Sequence, residues 1–411
     1  MGLLGLMLAN RQAKLRHEPI NFLTSDGRGY YAYLPAIFID HTVDIENQVR
    51  RHWGEDYSEA LLQQRTPRGY VIDKYPIGLA ITLTPSFLLA HAFAASASHA
   101  PDGYEPIYQF FIYLQVLLLG LATMMLIDHV LIRHFGFDRA AALLGILAFW
   151  IGSHYAWYYY REPLMVHVAS TFWVTLSLCL ALELVRDANA GEFRAWKPLV
   201  LTMALSIAVV CRPTNVFIFP ILAICADRLV RRRLLSRAIC QTPWPLGLWP
   251  LALQSLTWHA ATGHWLYYSY EGEGFSWAHP ALLQTLFSTR HGLFVWSPML
   301  VLAACGIGSR LARERVGYPM WSAMMASFLM LWYLNSAWHC WWFGWSFGGR
   351  AFLEMAPIFC VGLAAVFQSA LTGSPLRRRL VFHSAAAATL YSYVLMSLYA
   401  ARYLPPDQTW F

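Results

Sequence analysis

The sequence predicts an all-α, polytopic membrane protein, and three observations predict it. First, the 411 residues are 57% hydrophobic and only 13% charged, against roughly 25% charged in a soluble domain. Second, apolar runs of the roughly 20 residues that cross a bilayer recur along the chain. Third, Lys and Arg fall in short clusters between those runs, the pattern of loops held on the cytoplasmic side. The formal charge of +7 is spread over these clusters, so no basic tail invites a nucleic acid. The seven cysteines include no CxxC pair, and Cys179, Cys211, Cys225, Cys305 and Cys360 lie in apolar runs as small hydrophobes.

The runs near 107–127, 140–160, 165–185, 246–262, 292–309, 317–337, 352–370 and 381–400 read as spans. The stretch 198–227 is too long for one span, and "CRPTN" interrupts it. Pro213 ends a helix and disfavours it at the residue before, so two short legs meet at a turn around Arg212–Asn215. The clusters Arg133/Arg139, Arg186/Arg194/Lys197, Arg228/Arg231/Arg232/Arg233/Arg237, Arg310/Arg313/Arg315 and Arg377/Arg378/Arg379 then share one face, assigned to the cytoplasm. The opposite face receives "YYYREPLMVH", "CRPTN", the loop 264–291 and "NSAWHCWWFGWSFGGR". The segment 75–93 is long enough to span, but Pro76 and Pro85 also fit an interfacial or re-entrant helix. The second reading leaves 17–106 as an outer loop, after the remnant of a first span at 1–16. The expectation is one transmembrane domain over 1–411, its bundle occupying 107–411, with about 10–12 spans in all.

Polar residues on the outer face carry the candidate chemistry. Asp26, between an apolar run and Gly27 and Gly29, can accept a proton from a hydroxyl at a cavity rim, flanked by Tyr30 and Tyr31. Ser25 or Asp26 is equally placed to cap a helix. "DIE" at 44–46 can reach a divalent cation, although such pairs are common on solvated faces. Arg161, Glu162 and His167 sit at an outer turn, where ionisable groups cost roughly 2.5–3.5 kcal/mol at membrane depth and so line cavities or pair. Arg212, beside Asn215, has the bidentate fork that suits phosphate; a salt bridge to another span is the plainer alternative. Arg290 and His291 stand where an outer loop re-enters the membrane. From Asn335 to Glu354, Trp338, Trp341, Trp342 and Trp345 with Gly344, Gly348, Gly349 and Arg350 form a dense stretch. It suits a sugar or polyprenyl platform, while each Trp singly is an ordinary interface anchor. GxSxG, HExxH and P-loop patterns do not occur.

These parts, in this order, resemble the GT-C superfamily of integral membrane glycosyltransferases, in particular bacterial relatives of the protein O-mannosyltransferase and aminoarabinose-transferase group. The resemblance rests on "SDGRGYYAYLP", "KYPIGLAITLTPSFLLAH", "YYREPLMVH", "CRPTN", residues 288–298 and "WSFGGRAFL". It implies transfer of a sugar from a polyprenyl-phosphate donor to a glycan, lipid or protein acceptor on the periplasmic face of the inner membrane. Asp26 would then be catalytic, with Arg212, Arg290 and Arg350 on the donor phosphate. Tyr30, Tyr31, Arg161, Glu162, His167, Asn215, His291, Asn335, Trp338, Trp342 and Glu354 would surround the substrate. No cofactor is required, a divalent cation is optional, and no residues are assigned to metal. The chain departs from the family pattern in having Asp-Gly where two acids often stand, and His167 near the place of an expected acid. A transporter or flippase, or a non-catalytic relative, is the alternative; internal repeats favouring a transporter are not evident.

Overall fold

A computed structural model describes residues 23, 26–53, 61–96, 101–313 and 318–405. The expected remnant span at 1–16 and the cap candidate Ser25 lie outside the described residues. Within them the chain is all-helical, with no strand and two isolated bridges, Arg65 with Val71 and Phe275 with Trp338.

The N-terminal segment holds α1 (Asp26–Phe38), α2 (Glu46–His52) and α3 (Gly78–Ser96). α4 (Pro106–Arg133) follows, then α5 (Arg139–Gly152), α6 (Tyr155–Tyr160), α7 (His167–Ala190) and α8 (Trp196–Cys211). After a 3-10 turn at Pro213–Ile218 come α9 (Phe219–Arg231), α10 (Leu235–Cys240) and α11 (Trp249–Thr262). α12 (Leu282–Phe287), α13 (Leu293–Trp296), α14 (Met299–Arg313) and α15 (Tyr318–Ala337) lead to a 3-10 turn at Arg350–Met355, then α16 (Ala356–Leu371) and α17 (Pro375–Ala400). Among the described residues, six segments are long and apolar enough to cross a membrane: Gly78–Ser96, Pro106–Arg133, His167–Ala190, Pro213–Arg231, Arg350–Leu371 and Pro375–Ala400. This is the architecture of a multi-pass membrane protein.

Several boundaries differ from the sequence reading. The run 140–160 is not one helix: α5 stops at Gly152, and Ser153 and His154 turn the chain into α6. Ser297 locks that break by accepting from the His154 backbone N–H at 2.9 Å. Pro298 likewise divides 292–309 into α13 and α14. Conversely, Pro85 sits inside α3 without interrupting it. The break at "CRPTN" is where Pro213 puts it, with Arg212 extended at φ −151° between α8 and the 3-10 turn.

Glycines let the central helices touch. A Cβ on Gly306 would lie 1.9 Å from the Gly362 carbonyl, and one on Gly362 2.2 Å from that of Ala303. α14 and α16 therefore meet backbone to backbone, the close approach that small residues permit between helices in lipid. α16 is almost wholly buried, from Ala356 through Ala365, while α17 and α4 present Leu380, Leu390, Leu118 and Met125 outward. The bundle thus has an apolar exterior and a core helix. α7 and α8 each reach the polar residues described next with one end. The basic clusters at 133–139, 186–197, 228–237 and 310–313 occupy the opposite helix ends.

Candidate functional site

A cavity of about 380 Å³ opens where α1, the start of α7, the α8–α9 break and two loops meet. Asp26, the first residue of α1, enters it from one side. Its Oδ2 lies 2.9 Å from Arg350 Nη1, and Arg350 Nη2 donates to the Phe343 carbonyl at 2.7 Å. Burial alone would raise the Asp26 carboxyl, but the Arg350 and Lys74 charges and the Tyr75 hydroxyl outweigh it and hold the group below the ordinary carboxylate range. Asp26 is therefore ionised at neutral pH.

The second ion pair comes from the helix breaks. Arg212 Nη1 donates to Glu354 Oε2 at 3.0 Å, and His167 Nδ1 meets Glu354 Oε1 at 3.0 Å. With the Nδ1 proton directed to Glu354, the 3.1 Å approach of Arg212 Nη1 to the same nitrogen is a contact rather than a second bond. Glu354 is 2% exposed and Arg212 12%, so the carboxylate stands behind the guanidinium, which faces the cavity. Glu354 thus comes from a distant turn to pair with both His167 and Arg212.

Two loops build the far wall. Residues 274–281 pair with 336–339 through Ser276 N–H to Ala337 O (2.6 Å), Ala281 N–H to Ser336 O (2.8 Å) and His339 N–H to Gly274 O (2.9 Å). The pairing brings Phe275 and Tyr270 to Trp338, at ring separations of 4.8 and 5.9 Å. Lys74 closes the rim on Glu273 at 2.8 Å, and its ammonium lies 5.5 and 5.7 Å from the Tyr75 and Tyr270 rings. Asn335 lines the wall and donates to the Ala351 carbonyl at 3.1 Å; its buried Oδ1 has no hydrogen bond among the described residues.

Of the residues singled out in the sequence, Asp26, Tyr30, His167, Arg212, Asn335, Trp338, Gly344 and Arg350 line the cavity, whereas Trp342 and Glu354 lie outside its lining. Tyr31 does not: it is packed between Phe87 and Tyr104, its hydroxyl on the Gly103 carbonyl. Asn215 holds the helix break, donating to Ser170 Oγ and the Ala208 carbonyl. Arg161 and Glu162 form the α6–α7 turn outside the lining. Arg290, expected on a phosphate, lies off the cavity with its guanidinium 3.6 Å above the Trp342 ring. A cation beside an apolar run found an aromatic face there. His291 contacts the Trp342 carbonyl at 2.9 Å, so neither residue faces the cavity. The "DIE" acids are also committed: Asp44 Oδ1 accepts from the Glu46 and Val71 backbone N–H groups. Hydrogen bonds from Arg65 and Arg50 hold Glu46 down at about 2. Lys74, Tyr75, Tyr268, Tyr270, Glu273 and His339 line the cavity and were missed. Lys74 and Tyr75 open "KYPIGLAITLTPSFLLAH", His339 lies in "NSAWHCWWFGWSFGGR", and Tyr268, Tyr270 and Glu273 lie in the aromatic-acidic run "YYSYEGEGF" of the loop 264–291.

Behind the rim lies Asp73, 3% exposed, with Oδ1 accepting from the Tyr75 N–H at 2.9 Å and Oδ2 without a hydrogen bond among the described residues. Burial pushes its carboxyl up to about 7. The folded protein thus binds a proton that the unfolded chain releases near pH 4, so this group's contribution is full at low pH and is lost as pH rises toward 7. Asp73→Asn, which mimics the neutral acid, is expected to raise the melting temperature at pH 8 and to raise it by less than half as much at pH 5. The upper bound is about 4 kcal/mol. Thermal melts of both proteins at the two pH values check this.

No family model, curated protein or solved structure matches this chain, so its membership in a family is carried by no comparison.

Proposed function

We propose that the protein is a membrane glycosyltransferase of GT-C type. It would move a sugar from a polyprenyl-phosphate donor to an acceptor hydroxyl at this cavity, on the periplasmic side of a bacterial inner membrane. The observation that carries the reading is one cavity lined by the Asp26–Arg350 couple, by Arg212 with Glu354 behind it, and by the aromatic residues Tyr270, Phe275 and Trp338. In this reading the shorter apolar helices α5 and α8 join the six long segments, giving eight of the expected 10–12 spans among the described residues.

In the reaction, the acceptor oxygen bonds to the anomeric carbon while the bond from that carbon to the phosphate oxygen breaks. Polyprenyl phosphate leaves carrying the additional negative charge. Asp26, ionised but a weak base, orients the hydroxyl and takes its proton only as the new bond forms. Arg212 stabilises the charge growing on the phosphate. Arg350 already holds Asp26 and the Phe343 carbonyl, so its role shifts from phosphate binding to fixing the carboxylate. The unpaired Asn335 oxygen suits a sugar hydroxyl, and the aromatic wall suits a sugar face.

Binding tests the donor half of this reading. In native mass spectra of the detergent-solubilised protein, polyprenyl phosphate should be retained at least about tenfold more tightly than the polyprenol of equal length. Equal retention of the two would contradict a phosphate site at Arg212.

A further inference from the structure

A second cluster lies at the other end of the bundle. His129 lies just before the last turn of α4, His134 caps that helix, and Glu183 projects from α7. Sixteen residues separate Glu183 from His167 on α7, so at 1.5 Å per residue the cluster is roughly 24 Å from the cavity. The Nε2 atoms of His129 and His134 each lie 3.0 Å from Glu183 Oε1, and the three donor atoms fall within 4.8 Å of one another.

We propose that His129, His134 and Glu183 form a binding site for a divalent transition-metal ion that clips the end of α4 to α7. The proposal is independent of the transfer chemistry argued above. Four observations carry it. The donor set of two imidazoles and a carboxylate suits Zn(II) and its neighbours, whereas Mg(II) and Ca(II) prefer all-oxygen shells. A tetrahedral centre with bonds of about 2.0–2.1 Å places its donors roughly 3.3 Å apart. The two 3.0 Å separations need open by only a few tenths of an ångström, and the imidazole–imidazole separation, within 4.8 Å, closes toward the same value.

The third observation is the orientation of His134. Its side chain is 9% exposed, and its Nε2 converges with that of His129 on the same Glu183 oxygen. Two imidazole nitrogens and a carboxylate oxygen aimed at one point are arranged as the ligands of one ion are. The fourth concerns charge. Lys197 contacts the other carboxylate oxygen, Oε2, at 3.2 Å, and is neutralised by Asp187 at 2.6 Å. Arg186 lies 3.6 Å from Oε1 but is 43% exposed and free to swing outward. Oε1 is therefore the oxygen left for a metal, and His129, 45% exposed, opens the remaining coordination position to water.

The test uses the full chain without a polyhistidine tag, in detergent, stripped with a chelator and titrated with Zn(II); Co(II) serves as the spectroscopic probe. The expected result is one Zn(II) per chain after desalting, visible tetrahedral Co(II) bands, and a rise in melting temperature with Zn(II) but not with Mg(II). In His129→Gln, a half-exposed position that leaves packing intact, and in His134→Ala, affinity should fall at least about 100-fold and the thermal shift should vanish. Substoichiometric zinc in the wild type, or equal zinc in wild type and His129→Gln, would overturn the proposal and leave an imidazole–carboxylate cluster.

Discussion

Asp26→Asn should reduce sugar transfer by about 10²–10⁴-fold, the usual contribution of a positioned proton acceptor. The substitution also strips Arg350 of its carboxylate, and a buried cation left without its partner costs about 3–5 kcal/mol. Loss of activity in the single variant therefore has two causes, which a second substitution separates. Asp26→Asn with Arg350→Gln removes both charges, and its melting temperature should return most of the way to wild type. If Asp26 acts on the acceptor, the double variant is stable and still inactive. If Asp26 serves only to neutralise Arg350, the double variant recovers transfer along with stability.

Glu354→Gln is expected to have the largest effect on the fold. The carboxylate is 2% exposed and is shared by Arg212 and His167, so neutralising it leaves Arg212 facing a neutral amide in a nearly dry setting. The expected cost is about 3–5 kcal/mol, read as a drop in melting temperature and in the monodisperse fraction after detergent extraction. Arg212→Gln with Glu354→Gln should regain most of that loss. Donor binding should stay lost, because Arg212 is the group assigned to the phosphate. A double variant that retains polyprenyl phosphate would move the phosphate site elsewhere.

The sequence made the ends of the cavity visible and its walls nearly invisible. Asp26, Arg212 and Arg350 stood out because an ionisable residue beside an apolar run needs a partner, and two of the partners prove to be Asp26 and Arg350 themselves. Glu354 and His167 are 187 residues apart, and no local pattern pairs them. Lys74, Tyr270 and Glu273 lie in polar loops, where a charged or aromatic residue has the same local signature whether it faces a cavity or water. Arg290 shows the converse: its spacing matches a site residue, but the Trp342 face satisfied it first. Among the helices, the Pro213 break was legible because proline acts locally. The Ser153–His154 break was not, since it depends on Ser297, 143 residues away.

The most direct test of the central claim is sugar transfer in membranes carrying the wild type or the Asp26→Asn, Arg350→Gln double variant at equal folded levels, supplied with radiolabelled polyprenyl-phosphate sugars. The account predicts that the wild type releases polyprenyl phosphate and labels an endogenous acceptor from at least one donor, while the double variant does neither. Equal transfer by both proteins, or no transfer by folded wild type from any donor, would contradict it.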